Sequence, residues 1–283
     1  MKSKVLVLGS SGMAGHLIKR YLERTDKFQI FDLSRSNKYC NPYYLIDVAD
    51  FTALELIIKS NSFNFIINCV GILSQTSEEN PDTAILINSY LPHYLEKLTI
   101  NTDTKIIHLS TDCVFSGKRG NYVENDFKDG LGYYGQSKAL GEISNNKDLT
   151  IRTSIIGPDL NNNGVGLFNW VINQEGKIFG YSNAYWSGVT TIELAKFIFE
   201  ILANNNSLTG VVHLTNNTKI CKYELLMLIK NIFNLNNIEI EEYDKYEVDK
   251  SLINTRKDFI YTVPSYVSMI KEMKSWVDNS NLS

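Results

Sequence analysis

Short apolar runs alternate with segments whose apolar residues recur every three to four positions, and this alternation is regular as far as residue 157. "KVLVLG" (4–9) is a continuous apolar run ended by glycine, the pattern of a strand covered on both faces. "AGHLIKRYLER" (14–24) has helical spacing, and "KFQIFDL" (27–33) reads as strand again. "DFTALELIIKS" (50–60) opens on Asp50, a helix N-cap, and "FNFIINCVG" (63–71) is the next buried strand. "PDTAILINSYLPHYLEKLTI" (81–100) starts with a proline suited to a first helical turn, while its internal Pro92 predicts a kink. "TKIIHLS" (104–110), "YYGQSKALGEI" (133–143) and "LTIRTSIIG" (149–157) continue as strand, helix and strand. This order predicts an α/β fold with a doubly wound parallel sheet and right-handed crossovers.

Beyond residue 160 the pattern loosens. Helices are expected at 164–174, 190–203, 222–233 and 264–277, with a short strand at 210–215. The expected organisation is a first domain over 1–160 and a smaller mixed α/β lobe over 161–283 that holds substrate. The helix at 190–203 is a candidate to return to the first domain. No Pro/Gly-rich linker marks the boundary.

The composition is that of a globular protein: 43% of the 283 residues are hydrophobic and 21% charged. A formal net charge of −3 gives no footprint for nucleic acid or an anionic membrane. No apolar run approaches the roughly 20 residues that span a bilayer. The basic start "MKSKVLVLGSSG" meets glycine after too short an apolar run for a signal peptide. Four scattered cysteines, with no Cys-x-x-Cys, read as reduced thiols, so a cytoplasmic protein is expected. Four histidines without carboxylate–histidine spacing argue against a catalytic metal.

"LGSSGMAGH" places Gly9, Gly12 and Gly15 between the first strand and first helix. Such glycines permit a tight turn and let backbone N–H groups and a helix N-terminus approach a pyrophosphate, the arrangement of a Rossmann dinucleotide site. At the end of the second strand "IFDLSRS" offers both Asp32 and Arg35. An acid there favours NAD and an arginine the 2′-phosphate of NADP. With the strand running to Leu33, Ser34 and Arg35 sit at its tip, so NADP(H) is expected in preference to NAD(H).

In "LGYYGQSKALGE" (131–142), Tyr134 stands one helical turn before Lys138. A free phenol titrates near 10; an adjacent ammonium lowers it, and a three-unit drop corresponds to about 4 kcal/mol. The expectation is therefore a tyrosine softened by lysine for general acid–base work. Upstream, "HLSTDCVFSG" (108–117) ends a strand at Ser110 and leaves Thr111 at the carboxyl edge of the sheet, where ligands bind. "NCVG" (68–71) ends the preceding strand, and its Cys69, Val70 and Gly71 can wall the cofactor.

Together "GSSGMAG", "STDCVFSGKRGNYVEND", "YYGQSKALGE" and "RTSIIG" resemble the extended short-chain dehydrogenase/reductase family, and within it the dTDP-4-dehydrorhamnose reductase branch. The resemblance runs along most of the chain and is strongest over 1–160. It implies a cytoplasmic NAD(P)H-dependent oxidoreductase that reduces the 4-keto group of a nucleotide-linked 6-deoxy sugar, in deoxysugar biosynthesis for surface polysaccharide. It implies that Tyr134 donates the proton, Thr111 orients the carbonyl oxygen, and Lys138 tunes the tyrosine and grips the nicotinamide ribose. Ser11, Met13 and Asp47 join the cofactor candidates. Asn88 supports a relay water or simply packs its helix. Cys113, Val114 and Phe115 are expected beside the sugar. In "GYSNAYWSGVTT" (180–191), Tyr185 and Trp186 offer an aromatic for stacking a sugar or base, against a reading of Trp186 as core. Arg256 is the candidate for the diphosphate, with Lys250 and Lys177 as competitors. The branch also implies a homodimer as an assembly to consider, and sometimes magnesium at its interface.

Two positions depart from the branch. Cys113 stands where a tyrosine is common, and Ile155 where an aromatic is common. Both put dTDP-rhamnose itself in doubt and leave UDP carriers or N-acetylated sugars open. Competing readings are an epimerase or dehydratase with tightly held NAD, and a regulatory subunit that binds dinucleotide without turnover.

Overall fold

The apolar runs that open the chain become the inner strands of one parallel sheet in the computed structural model, which describes residues 1–161, 166–204 and 207–279. β1 (Ser3–Leu8), β2 (Phe28–Ser34), β3 (Tyr44–Leu45), β4 (Phe65–Asn68), β5 (Lys105–Ser110) and β6 (Leu149–Arg152) lie in the order β3-β2-β1-β4-β5-β6. The strand Gly210–His213 pairs in parallel with β6 and closes that edge. Side chains of β1 alternate between two cores. Val5 and Val7 join α1 (Met13–Thr25) and the helix Thr191–Ala203; Leu6 and Leu8 join α2 (Phe51–Ser60) and the helix Leu91–Thr99. A sheet buried on both faces needs such continuous apolar strands. Strand order reverses between β1 and β4, and Leu8 pairs with both Leu33 and Asn68, so three carboxyl ends are level at the switch point.

The expected kink at Pro92 takes another form. Pro81–Ala84, Ile85–Tyr90 and Leu91–Thr99 follow one another, and the middle six residues are π-helical. Proline at 92 has no N–H for the Asn88 carbonyl, and its ring collides with that carbonyl in a regular α-helix. Widened turns just before it relieve the collision. The Asn88 carbonyl is thereby brought so close to Gly141 that a Cβ there would lie 1.9 Å from it.

After residue 160 the chain builds a smaller mixed layer and also returns to the sheet. The helix expected at 164–174 is Leu167–Ile172; positions 164 and 165 lie outside the described residues. Gly176–Tyr181 pairs in parallel with Ile238–Tyr243, and Ala184–Trp186 lies between Ile220–Cys221 and Val248–Asp249. Helices Lys222–Phe233 and Tyr266–Asn279 cover them. The first is capped by Cys221, whose thiol accepts from Glu224 N–H while the Glu224 carboxylate accepts from Cys221 N–H. Helix Thr191–Ala203 packs against α1, and Gly210–His213 is the edge strand, so both elements belong to the main sheet layer. Among the described residues no helix is long and apolar enough to cross a membrane.

Candidate active site

The loop after β1 is shaped by its glycines. Gly9 has φ +81°, and the N–H groups of Gly9 and Ser10 donate to the Leu33 carbonyl, tying the loop to the tip of β2. A Cβ on Gly15 would lie 2.2 Å from the Gly9 carbonyl oxygen, so only glycine lets α1 start so close to the turn. A Cβ on Gly12 would meet only that oxygen, at 3.5 Å, and otherwise face open space. Gly12 is the N-cap of α1 and supplies no side-chain acceptor, leaving the first N–H groups of the helix for an incoming anion. This cradle fits the pyrophosphate of a dinucleotide.

Beside it opens a cavity of about 340 Å³ lined by Ser11, Ser34, Arg35, Asp47, Val70 and Gly71, among others. Ser34 donates to Ser11 Oγ at 2.8 Å, joining the tip of β2 to the loop. Asp32 is buried inside β2; its carboxylate accepts from Tyr43 N–H at 3.1 Å and pairs with Lys19 at 3.2 Å. Among the described residues no hydrogen bond or ion pair engages the Arg35 side chain.

A second cavity, of about 440 Å³, shares Gly12, Cys69, Val70 and Gly71 with the first, so the two form one cleft over the carboxyl ends of the strands. Its far wall brings together Thr111, Cys113, Tyr134 and Lys138, with Met13 near the loop and Ile155 opposite. Thr111 caps the short turn Asp112–Val114, accepting from Cys113 N–H at 3.1 Å and donating to Asp112 Oδ1 at 3.1 Å. Asn88, held in the π-helical turns, accepts from Ile72 N–H and donates to the Ile72 carbonyl and Ser137 Oγ. It ties the strand-end loop to helix Gly132–Leu140, the tyrosine helix.

The expected softening of Tyr134 by Lys138 is corrected by the structure. Burial raises the phenol, Cys113 adds to the rise, and a hydrogen bond with Thr111 opposes it; Lys138 is not among the groups acting on it. The ammonium is turned inward instead, donating to the Leu109 carbonyl at 2.7 Å. Burial lowers Lys138 to about 8, although Glu142 and Cys69 pull the other way.

Four substrate candidates are also corrected. Val114 and Phe115 are fully buried, and Phe115 stacks on Tyr122 at 4.2 Å, so both pack under the cleft wall. Trp186 is buried in the core against Tyr266. Arg256 pairs with Asp258 and donates to the Thr209 and Val211 carbonyls near the amino end of the edge strand, away from the cleft. The alternation of "AYW" gave no sign that Trp186, rather than Tyr185, faces inward. Lys250 does reach the cleft, with Nζ 3.4 Å from Cys113 Sγ. Lys222, missed in the sequence, lies over the Trp186 ring at 5.3 Å, and the Asp112 and Cys113 side chains act on it. A lysine opening a helix carries no signal by which it could have been found. Lys177 pairs with Glu241 on the outer strands. Among the described residues no group of three His, Cys, Asp or Glu is placed to hold a metal.

The family described as "RmlD substrate binding domain" matches residues 3–254. The dTDP-4-dehydrorhamnose reductase of Aggregatibacter actinomycetemcomitans is 30% identical over 169 residues, which span 58% of this chain and 55% of that protein. A hypothetical dTDP-4-dehydrorhamnose reductase from Sulfolobus tokodaii superposes with a TM-score of 0.79 at 28% identity, covering 94% of this chain and 98% of that one. The dTDP-4-dehydrorhamnose reductase of Bacillus anthracis, solved in complex with NADP, superposes at 0.82 over 97% of this chain and 99% of its own; at 20% identity it speaks for the fold alone.

Proposed function

The chain belongs to the RmlD substrate binding domain family, and we propose that it is an NAD(P)H-dependent reductase of a nucleotide-linked 4-keto-6-deoxy sugar, of the dTDP-4-dehydrorhamnose reductase kind. One observation carries the reading: Thr111, Tyr134 and Lys138 line a cleft continuous with the glycine cradle.

A bound reduced nicotinamide supplies hydride to the carbonyl carbon. The chain's own residues do the rest. The Thr111 hydroxyl orients the carbonyl oxygen, and the Tyr134 phenol gives it a proton as the C=O becomes C–OH. The phenol holds its proton at neutral pH, as a donor in the reducing direction must, while burial weakens it as an acid. Lys138 grips the nicotinamide ribose. The α1 N-terminus holds the pyrophosphate, and the unpaired Arg35 beside Ser34 supports NADP(H) over NAD(H). With Arg256 committed elsewhere, Lys250 and Lys222, both beside Cys113, are the candidates for meeting the diphosphate.

Tyr134→Phe tests the reading: turnover of a 4-keto sugar nucleotide should fall about 10²–10⁴-fold, while NADPH binding, followed by fluorescence, persists. Normal turnover by the variant would refute Tyr134 as the proton donor. An epimerase or dehydratase would instead retain NAD through purification and consume no added NADPH.

A further inference from the structure

Two polar side chains lie behind the reacting residues, and the mechanism above uses neither. Asn68 ends β4, and His108 is its register partner on β5; both are fully buried. Asn68 Oδ1 accepts the Val70 N–H at 3.1 Å, so the amide presents its Nδ2 to the ring, 3.2 Å from His108 Nδ1. Nδ1 is then an acceptor without a proton. Burial, together with Lys138 and His93, keeps the imidazole neutral, so its single proton sits on Nε2. Nε2 faces Lys138 Nζ at 3.5 Å. Every donor in this chain of contacts points toward the lysine.

An ammonium at that end sets donor against donor, whereas a neutral amine accepts the Nε2–H. Reversing the amide would free the lysine but turn Nδ2 against the Val70 N–H. One conflict therefore persists while Lys138 carries three protons. We propose that His108, oriented by Asn68, is a positioning residue that holds down the proton affinity of Lys138, so that this amine exchanges its third proton readily instead of remaining a fixed cation. The proposal rests on the reading of Lys138 as the residue that grips the cofactor. The remaining groups facing Lys138 are the Leu109 carbonyl, which accepts from it, and Glu142 and Cys69, which favour the ammonium. Among the described residues no carboxylate forms an ion pair with it. The grip on cofactor is then sensitive to pH at this one amine.

Selective ¹⁵N labelling of the four histidines in the full chain reads the tautomer directly. His108 should carry its proton on Nε2 with Nδ1 bare; a protonated Nδ1 overturns the proposal. With ¹³C-labelled lysine, the Lys138 titration midpoint should rise by about one pH unit in His108→Phe, a tenfold change in the ammonium-to-amine ratio. An unmoved midpoint also overturns it, since a merely structural histidine would leave the titration in place. Should His108→Phe fail to fold, Asn68→Asp serves. Its two oxygens accept from both Val70 N–H and Nδ1–H, so the tautomer should flip and the midpoint rise; no flip refutes the wiring. None of these readouts needs turnover, so they stand or fall separately from the Tyr134→Phe result.

Discussion

At the scale of single residues, the site trades stability for chemistry. Lys138 is buried with a carbonyl and an imidazole for neighbours, and burial holds it at about 8 against an ordinary 10.5. Its ammonium is thus harder to hold in the folded chain than in the unfolded one. The sign follows: the penalty is fully present below pH 8, shrinks as pH rises from 8 to 10.5, and is gone above it. Lys138→Met should therefore stabilise the fold at pH 7 by about 3 kcal/mol, with the gain fading toward pH 10. Urea unfolding across that range checks it, and a gain independent of pH would point to packing instead. The Tyr–Lys spacing was legible as chemistry. That the ammonium would bond the Leu109 carbonyl was not, because helical spacing puts two residues on one face without saying which way a long side chain turns.

At the scale of elements, the helix over residues 81–99 shows how a local rule is met by a non-local answer. Proline at 92 announces a disturbance, and the chain meets it with π-helical turns that hold Asn88 against the tyrosine helix. The contact requires Gly141, where a Cβ would lie 1.9 Å from the Asn88 carbonyl oxygen and 2.9 Å from its carbon. Both are backbone atoms and cannot swing aside. Gly141→Ala should cost about 1–3 kcal/mol in urea unfolding and lower activity with it, since helix Gly132–Leu140 carries Tyr134 and Lys138. An alanine that cost nothing would mean the helices are free to separate.

At the scale of the whole molecule, a buried ionic network joins the sheet to the chain's later segments. Arg152, at the end of β6, donates to both Glu142 oxygens at 2.7–2.8 Å and to His213 Nε2 at 2.7 Å on the edge strand. Glu142 in turn accepts from Ser110, next to Thr111, at 2.7 Å. His213 Nδ1 meets the Ile253 carbonyl, and Glu124 accepts from Thr255. Arg152→Leu removes the guanidinium beside the buried Glu142 and leaves Lys128, at 3.1 Å, as its remaining ion-pair partner among the described residues. A loss of about 3–5 kcal/mol is expected at pH 7, shrinking as pH falls and the carboxyl takes up a proton. A deficit unchanged at pH 4.5 would assign the loss to packing.

What the sequence by itself determined was periodic or local. Continuous apolar runs such as "KVLVLG" require a strand covered on both faces; the glycine spacing requires a tight turn before a helix; Tyr134 and Lys138 must share a helical face. These follow from backbone geometry within a few residues. Tertiary structure alone decided which of Tyr185 and Trp186 entered the core, that Arg256 would be consumed by the distant Thr209 and Val211 carbonyls, and that Lys138 would turn toward the Leu109 carbonyl. Each depends on partners tens of residues away in the chain, and the direction of a long side chain is settled by whichever acceptor the fold brings within about 3 Å.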